Sequence, residues 1–303
     1  MPVMVVGSIA LDTIKMPNGK IYKDVPGGSC GYFIHSARFF APVRVVGVAG
    51  EDFPKKHLDG FRKCKADLEG LQIRRGGKTF QWHGTYMADM NDRTTDALHF
   101  GVLGDFDPVV PAKFRKTSHV FLACSQPWLQ AKVLDQMEGK TFAVCDTIAV
   151  YIQNDRKDLD KLIRRCQGMI VNDEEARMLS GDHNLVSTAI GLRKKYRLQF
   201  LVVKKGEHGG LLAVKDALVP FPAWPLEKVP DPTGAGDSFA GGFVATLAKL
   251  GRADLPALKT AVLNATSVAS YACQGVALAG LTKATAKDVR ARAAAFEKTV
   301  RLG

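Results

Sequence analysis

The segment Asp231–Phe243 reads D-P-T-G-A-G-D-S-F-A-G-G-F. Pro232 and Gly234 exclude a regular helix before about residue 235. From Gly236 onward, Phe239, Phe243 and Leu247 recur at helical spacing. A glycine-rich turn therefore feeds straight into a helix start. Glycines let a ligand approach the backbone closely. The first amides of a helix lack intrahelical partners, and the helix dipole adds positive potential there. Such a place suits an anion, phosphate above all. Asp237 stands at this helix start, where Asp is favoured simply as a cap. A carboxylate beside an anion site has a second use. It can take the proton of an attacking hydroxyl while the amides stabilise a transferring phosphoryl group. The segment by itself leaves both roles open.

The elements that must hold this segment show in the hydropathy pattern. Short apolar runs at Val3–Val6, Val43–Val48, His119–Leu122, Phe142–Cys145, Met169–Val171 and Phe200–Val203 read as buried strands. Amphipathic stretches lie between them, among them Gln130–Met137, Arg156–Cys166 and Asp182–Lys195. This alternation predicts an α/β fold with a wound, mainly parallel sheet flanked by helices. Beyond Asp237 the chain turns Ala-rich and helical over Asp237–Leu250, Leu255–Cys273 and Ala284–Val300. Two stretches stand apart. Pro17-Asn18-Gly19 within Asp12–Asp24 signals a hairpin, and alternating segments fill Gly70–Val102. Together they predict a small β-sheet lid over one end of the main sheet, from about 12–26 and 70–103, inserted in a single domain spanning 1–303.

Bulk composition narrows the function. The 303 residues, 46% hydrophobic and 24% charged, suit one large globular domain. Lys and Arg exceed Asp and Glu by 12, but the basic residues come in short pairs such as Arg74-Arg75 and Lys194-Lys195. No basic tract interleaved with aromatics occurs, so no nucleic-acid partner is expected. The scattered excess would instead attract anionic substrates. The six cysteines form no C-x-x-C pair, and no two histidines stand four apart, so a zinc site is unsupported. Neither a secretory leader pattern nor an apolar run of membrane-spanning length is visible, and no membrane association is expected. A reducing cytoplasm is the expected location. Gly77-Lys78-Thr79 looks like the end of a P-loop, but Gln72 stands where its first glycine belongs. No G-x-G-x-x-G opens a helix after the first strand, against a dinucleotide dehydrogenase.

Asp231–Asp237, continued to Gly241-Gly242, resembles the signature of the ribokinase-like (PfkB) family of carbohydrate and nucleoside kinases. The resemblance runs over nearly the whole chain. It includes Gly7-Ser8 with Asp12, the pair Gly27-Gly28, Val46–Asp52, the N-x-x-E element Asn172–Glu175, and the loop Lys205-Gly206-Glu207-His208-Gly209. It implies ATP and Mg2+ as cofactors and a phosphotransferase acting on a primary hydroxyl. It makes Asp237 the general base, with the amides of Gly234, Ala235 and Gly236 as the anion hole. Asn172 and Glu175 would lie near metal and phosphates, Glu175 acting on Mg2+ through water. Asn172 also reads as the N-cap of a helix over Asp173–Leu179, and the two roles are compatible. Lys205, Gly206, Glu207 and Gly209 would pass by the nucleotide, with Asn264 and Gly275 on its adenine side. Asp231 and Thr233 resemble the monovalent-cation loop of some members, which implies K+ in those. Asp12, Gly27 and Gly28 would hold the acceptor. The small sheet of such folds often pairs with its twin, which implies a homodimer through the lid.

One position departs from the family. Four residues after Gly28, where an asparagine usually bonds the acceptor, stands Tyr32. A phenol offers a ring face and one hydroxyl in place of an amide. The acceptor is therefore either a sugar or a nucleoside, a ring-bearing nucleoside being one way to use the phenol. A non-catalytic nucleotide-binding protein on the same scaffold is the remaining reading.

Overall fold

The structure is a computed structural model and describes residues 1–90 and 92–300. The chain opens with β1 (Val3–Val6) and a hairpin, β2 (Ala10–Lys15) and β3 (Ile21–Gly27). It continues through α1 (Gly28–Ala37), β4 (Val43–Gly50), α2 (Lys55–Lys63) and β5 (Ala66–Arg74) to a second hairpin, β6 (Gln81–Tyr86) and β7 (Arg93–His99). Next come β8 (His119–Leu122), α3 (Pro127–Asp135), β9 (Phe142–Cys145), α4 (Ala149–Asn154) and α5 (Arg156–Ile163). β10 (Gly168–Asn172), α6 (Asp173–Ser180), α7 (Leu185–Tyr196), β11 (Phe200–Lys204), β12 (Gly210–Val214) and β13 (Leu218–Phe221) follow. The last part is helical: α8 (Ala235–Leu250), α9 (Leu255–Ala272), α10 (Ala279–Lys283) and α11 (Ala286–Val300).

The nine-stranded main sheet has the order β13-β12-β11-β10-β9-β8-β1-β4-β5. It is parallel from β11 to β5 and turns antiparallel at β12 and β13. Successive side chains of a strand point to opposite faces. Val3 and Val5 join the core under α1, α8 and α9, while Met4 and Val6 join the core under α3, α5 and α7. Burial on both faces is why these strands read as continuous apolar runs. The chain winds outward from β1 through β4 to β5, then returns to β8 and winds the other way. β1 and β8 are thus the switch point, and ligands of wound sheets bind beyond the carboxyl ends of strands there.

α8 occupies the middle of the helical layer, with Ser238 through Ala248 all buried. A helix enclosed on all sides needs small residues where its neighbours cross. A Cβ on Gly241 would stand 2.8 Å from the Phe33 carbonyl oxygen of α1, and one on Gly242 3.0 Å from the Ala265 Cα of α9. Those two glycines serve packing. Phe243, fully buried, stacks on Phe239 and packs at a tilt against Phe200.

The second sheet has the order β3-β2-β6-β7, with β2 and β6 parallel and the two hairpins antiparallel. It forms the expected small β layer. Its second part is shorter than the 70–103 expected from sequence. Residues up to Arg74 belong to β5, which pairs with β4 across the main sheet, and Gly101–Leu103 form a 3-10 turn. Gly70 marks close packing inside β5, where a Cβ would meet the Val45 carbonyl oxygen at 2.5 Å. No helix among the described residues is long and apolar enough to cross a membrane.

Candidate active site

The carboxyl ends of adjacent strands carry most of the polar groups. Asp146 follows β9, Asn172 ends β10 and Lys204 ends β11, directly opposite Asn172 in register. Asn172 and Glu175 form a capping box at the start of α6. The Asn172 side chain accepts the Glu175 amide at 2.7 Å, and Glu175 accepts the Asn172 amide at 2.8 Å. The N-x-x-E spacing thus has a structural use of its own. Burial raises the Glu175 carboxyl above its usual range, with Lys204 and the Asn172 amide pulling it back. Asp146 is raised further by burial and by Asp237, and its Oδ1 is buried without a partner.

The loop before α8 faces this row. Asp231 is fully buried and ties the loop down with both oxygens. Oδ1 accepts the Thr233 amide at 2.8 Å and Oδ2 the Ala277 amide at 2.7 Å. This clamp satisfies both oxygens of the buried carboxyl. Thr233 is held in turn by a 2.9 Å contact between its hydroxyl and Tyr86 of the small sheet. Gly234 then adopts φ +72°, the left-handed region that favours glycine, and α8 begins with no side-chain cap. The Ala235 amide turns back to the Pro232 carbonyl at 3.1 Å, so that member of the expected anion hole is engaged within the loop. Among the described residues, no acceptor meets the amides of Gly234 and Gly236. An open helix start remains, as an anion site requires.

Asp237 is the third residue of α8, half-buried at this opening. Burial raises its carboxyl above the usual range, while Lys204, Arg93 and its own amide pull it back. The residue at the N-cap position is Gly234, which has no side chain to cap with, and the Asp237 carboxyl bears on its own amide in the first turn.

The acceptor candidates cluster at the other side of the loop. Gly28 has φ +78°, and a Cβ there would stand 2.6 Å from the Ser8 carbonyl oxygen. That closeness lets Ser8 cap α1: its hydroxyl accepts the Ser29 amide at 3.1 Å and its carbonyl the Cys30 amide at 3.0 Å. Gly27 leaves room for the Asp12 carboxyl, whose Oδ2 fills the place of a Cβ. Asp12 is 4% exposed, its Oδ1 has no partner, and burial pushes its pKa up to about 7 against the pull of the Trp82 and Gly28 amides. Tyr32 lies beneath the anion loop: a Cβ on Gly234 would be 2.2 Å from its ring. Its hydroxyl is buried without a partner, and burial together with Asp231 and Asp12 keeps the phenol protonated. Two orphaned polar atoms at one place mark a site that awaits a polar ligand.

The remaining expected residues sit further out. Lys205 through Gly209 form a reversal from β11 into β12, with a 3-10 turn at Gly206–His208, and the Lys205 amide donates to the Gly209 carbonyl. Gly209 has φ +75°, and a Cβ there would meet the Phe221 and Pro222 backbone. Asn264 is half-buried on α9 and donates to the Thr246 hydroxyl of α8 at 3.2 Å. Gly275 packs against the Gly280 backbone. Sequence reasoning passed over Asp146, Lys204 and Arg93. A polar residue at the end of an apolar strand was the available signal for the first two, since active groups gather at strand carboxyl ends.

The chain is 30% identical over 249 residues to a cytidine kinase of Thermococcus kodakarensis, a match covering 80% of this chain and 87% of that protein. A fructokinase of Salmonella typhimurium is 22% identical, with 85% and 88% covered. Among solved structures, a Burkholderia thailandensis nucleoside kinase in complex with inosine superposes with TM-score 0.75 at 20% identity, covering 97% and 98% of the two chains. A putative ribokinase II from E. coli, in complex with ATP and Mg2+, gives TM-score 0.80 at 18% identity, covering 96% and 98%. The pfkB family carbohydrate kinase model matches residues 26–283, and the chain belongs to that family, whose members transfer phosphate to hydroxyl acceptors.

Proposed function

We propose that the protein is an ATP-dependent kinase that phosphorylates the primary hydroxyl of a nucleoside. The observation that carries the reaction type is the uncapped start of α8 with Asp237 beside it. The phosphoryl group bound there is attacked in line by the acceptor oxygen. The new O–P bond forms as the bond from Pγ to the bridging oxygen breaks. That bonding pair stays with ADP, and the hydroxyl proton passes to Asp237. Burial raises Asp237, which strengthens it as a base, while Lys204 and Arg93 pull it part of the way back.

Asp146 and Glu175 offer carboxylate oxygens, the hard donors that Mg2+ prefers, and the unpartnered Asp146 Oδ1 fits such a use. The metal, when bound, would neutralise phosphate charge. The small sheet closes over the site through the Tyr86–Thr233 contact and excludes water that would otherwise take the phosphate.

The nucleoside assignment is supported by the cytidine kinase relative, at 30% identity across 80% of the chain. It also agrees with Tyr32 standing in place of the amide. The test is ADP release from purified protein with Mg·ATP and cytidine, adenosine, inosine, ribose or fructose. Turnover confined to ribose or fructose would overturn the acceptor assignment. Unchanged turnover in Asp237→Asn would overturn the base.

A further inference from the structure

Lys204 has no assigned role, and its surroundings give it one. It ends β11, beside Asn172 in register, and is half-buried at the mouth of the cleft. Its ammonium nitrogen lies 2.6 Å from where a Cβ on Gly236 would stand. A side chain at residue 236 would therefore displace the amine from this place. Three carboxyls bear on the same nitrogen, those of Asp146, Glu175 and Asp237. Yet Lys204 makes no salt bridge with any one of them among the described residues. A cation held among three carboxyls without closing on one is positioned for an anion that arrives later.

We propose that Lys204 is a catalytic residue whose ammonium group contacts the transferring phosphate on the Gly236 amide. The inference rests on reading the Asp231–Asp237 loop as a phosphoryl site. Charge is the reason it is needed. Bringing a triphosphate to three carboxyls sets like charges together at close range. A fixed ammonium at the amide that receives the phosphate offsets part of that repulsion before reaction. It also meets the charge that spreads over the phosphoryl oxygens as the bond to ADP breaks. Lysine suits the place as a compact point charge with three donors.

Two variants of the full chain test this, Lys204→Met and Lys204→Arg. Calorimetric titration with AMP and with the non-hydrolysable analogue AMP-PNP separates contacts to the terminal phosphate from contacts to the rest of the nucleotide. Losing a hydrogen bond to a charged group costs about 10- to 100-fold. Lys204→Met should weaken AMP-PNP by that factor, leave AMP unchanged, and lower kcat by about 100-fold or more. Lys204→Arg should keep AMP-PNP binding within about threefold of wild type while lowering kcat, because the charge remains and its geometry changes. Removing the ammonium should also shift the acid limb of the kcat profile to higher pH, since Asp237 loses a nearby cation. Equal weakening of AMP and AMP-PNP would show a merely structural lysine and overturn the proposal, as would full AMP-PNP affinity in Lys204→Met. The titrations need no acceptor, so this result stands apart from whether nucleosides are the substrates.

Discussion

Replacing Asp12 by Asn should make the empty protein more stable at neutral and alkaline pH while removing its hold on the acceptor. The cause is burial. Asp12 is 4% exposed, its Oδ1 has no partner, and its pKa rises from 3.8 to about 7. A carboxyl whose folded pKa lies above its unfolded one favours the folded state while protonated. That contribution is complete below about pH 4, declines as pH rises toward 7, and is gone above it. Three pKa units correspond to about 4 kcal/mol. Between pH 5 and pH 8 the same two values give a change of roughly 2–3 kcal/mol. An amide does not titrate there, so Asp12→Asn escapes this loss. Any pH-independent cost of the amide, such as a changed bond to the Trp82 or Gly28 amide, cancels when the two pH values are compared. Urea unfolding of wild type and Asp12→Asn at pH 5 and pH 8 measures the quantity directly. The advantage of the variant should grow by roughly 2–3 kcal/mol on going to pH 8. A stability difference equal at both pH values, or one that shrinks, would refute the reasoning. The same titration should make acceptor KM rise as pH falls below about 7, because a protonated carboxyl accepts hydroxyl protons poorly.

Three further outcomes follow from the site. Asp237→Asn should lower kcat about 100- to 10,000-fold with little change in AMP-PNP affinity, and the wild-type kcat should fall as pH drops through an Asp237 pKa raised above the ordinary carboxylate range. Gly234→Ala should destabilise the fold by about 2–5 kcal/mol, from the left-handed φ of +72° and the meeting of its Cβ with the Tyr32 ring, as thermal unfolding would register. Tyr32→Phe should leave the empty protein as stable or stabilise it by about 1 kcal/mol, since it deletes a buried hydroxyl without a partner, and should raise acceptor KM about tenfold without changing that of ATP.

The donor side of the site was legible because its chemistry is written into consecutive residues. A glycine-rich turn, a helix period and an acid at the third helical position fix each other within one short segment, Asp231–Phe243. The strands His119–Leu122 and Phe142–Cys145 were legible to the residue because burial on both faces leaves an uninterrupted apolar run. β5 was not, since Ala66–Arg74 lies at the sheet edge and carries Asp67, Glu69 and Arg74 on its outer positions. β12 and β13 escaped for a related reason: they add antiparallel strands at the opposite edge, where the β–helix alternation that guided the reading stops.

Arg93 carried no local signal, and Asp146 and Lys204 carried only that of a polar residue at the end of an apolar strand. What brings the three together is the register of strands far apart in sequence. Lys204 stands opposite Asn172 only because β10 and β11 pair in parallel from Gly168 with Phe200 onward. Arg93 reaches the field of Asp237 and Glu175 only because β7 folds back on β6 above the main sheet. Tyr32 shows the same principle from the acceptor side. Its place in the sequence suggests a direct substitute for an amide, one side chain for another in a sugar pocket. In the structure the ring packs under Gly234, and the hydroxyl is buried without a partner. On the proposed reading one residue serves both halves of the reaction, bearing the loop that would receive phosphate while offering a donor beside Asp12. An asparagine at residue 32 would restore the amide and remove that support, so donor and acceptor specificity cannot be altered independently at this position.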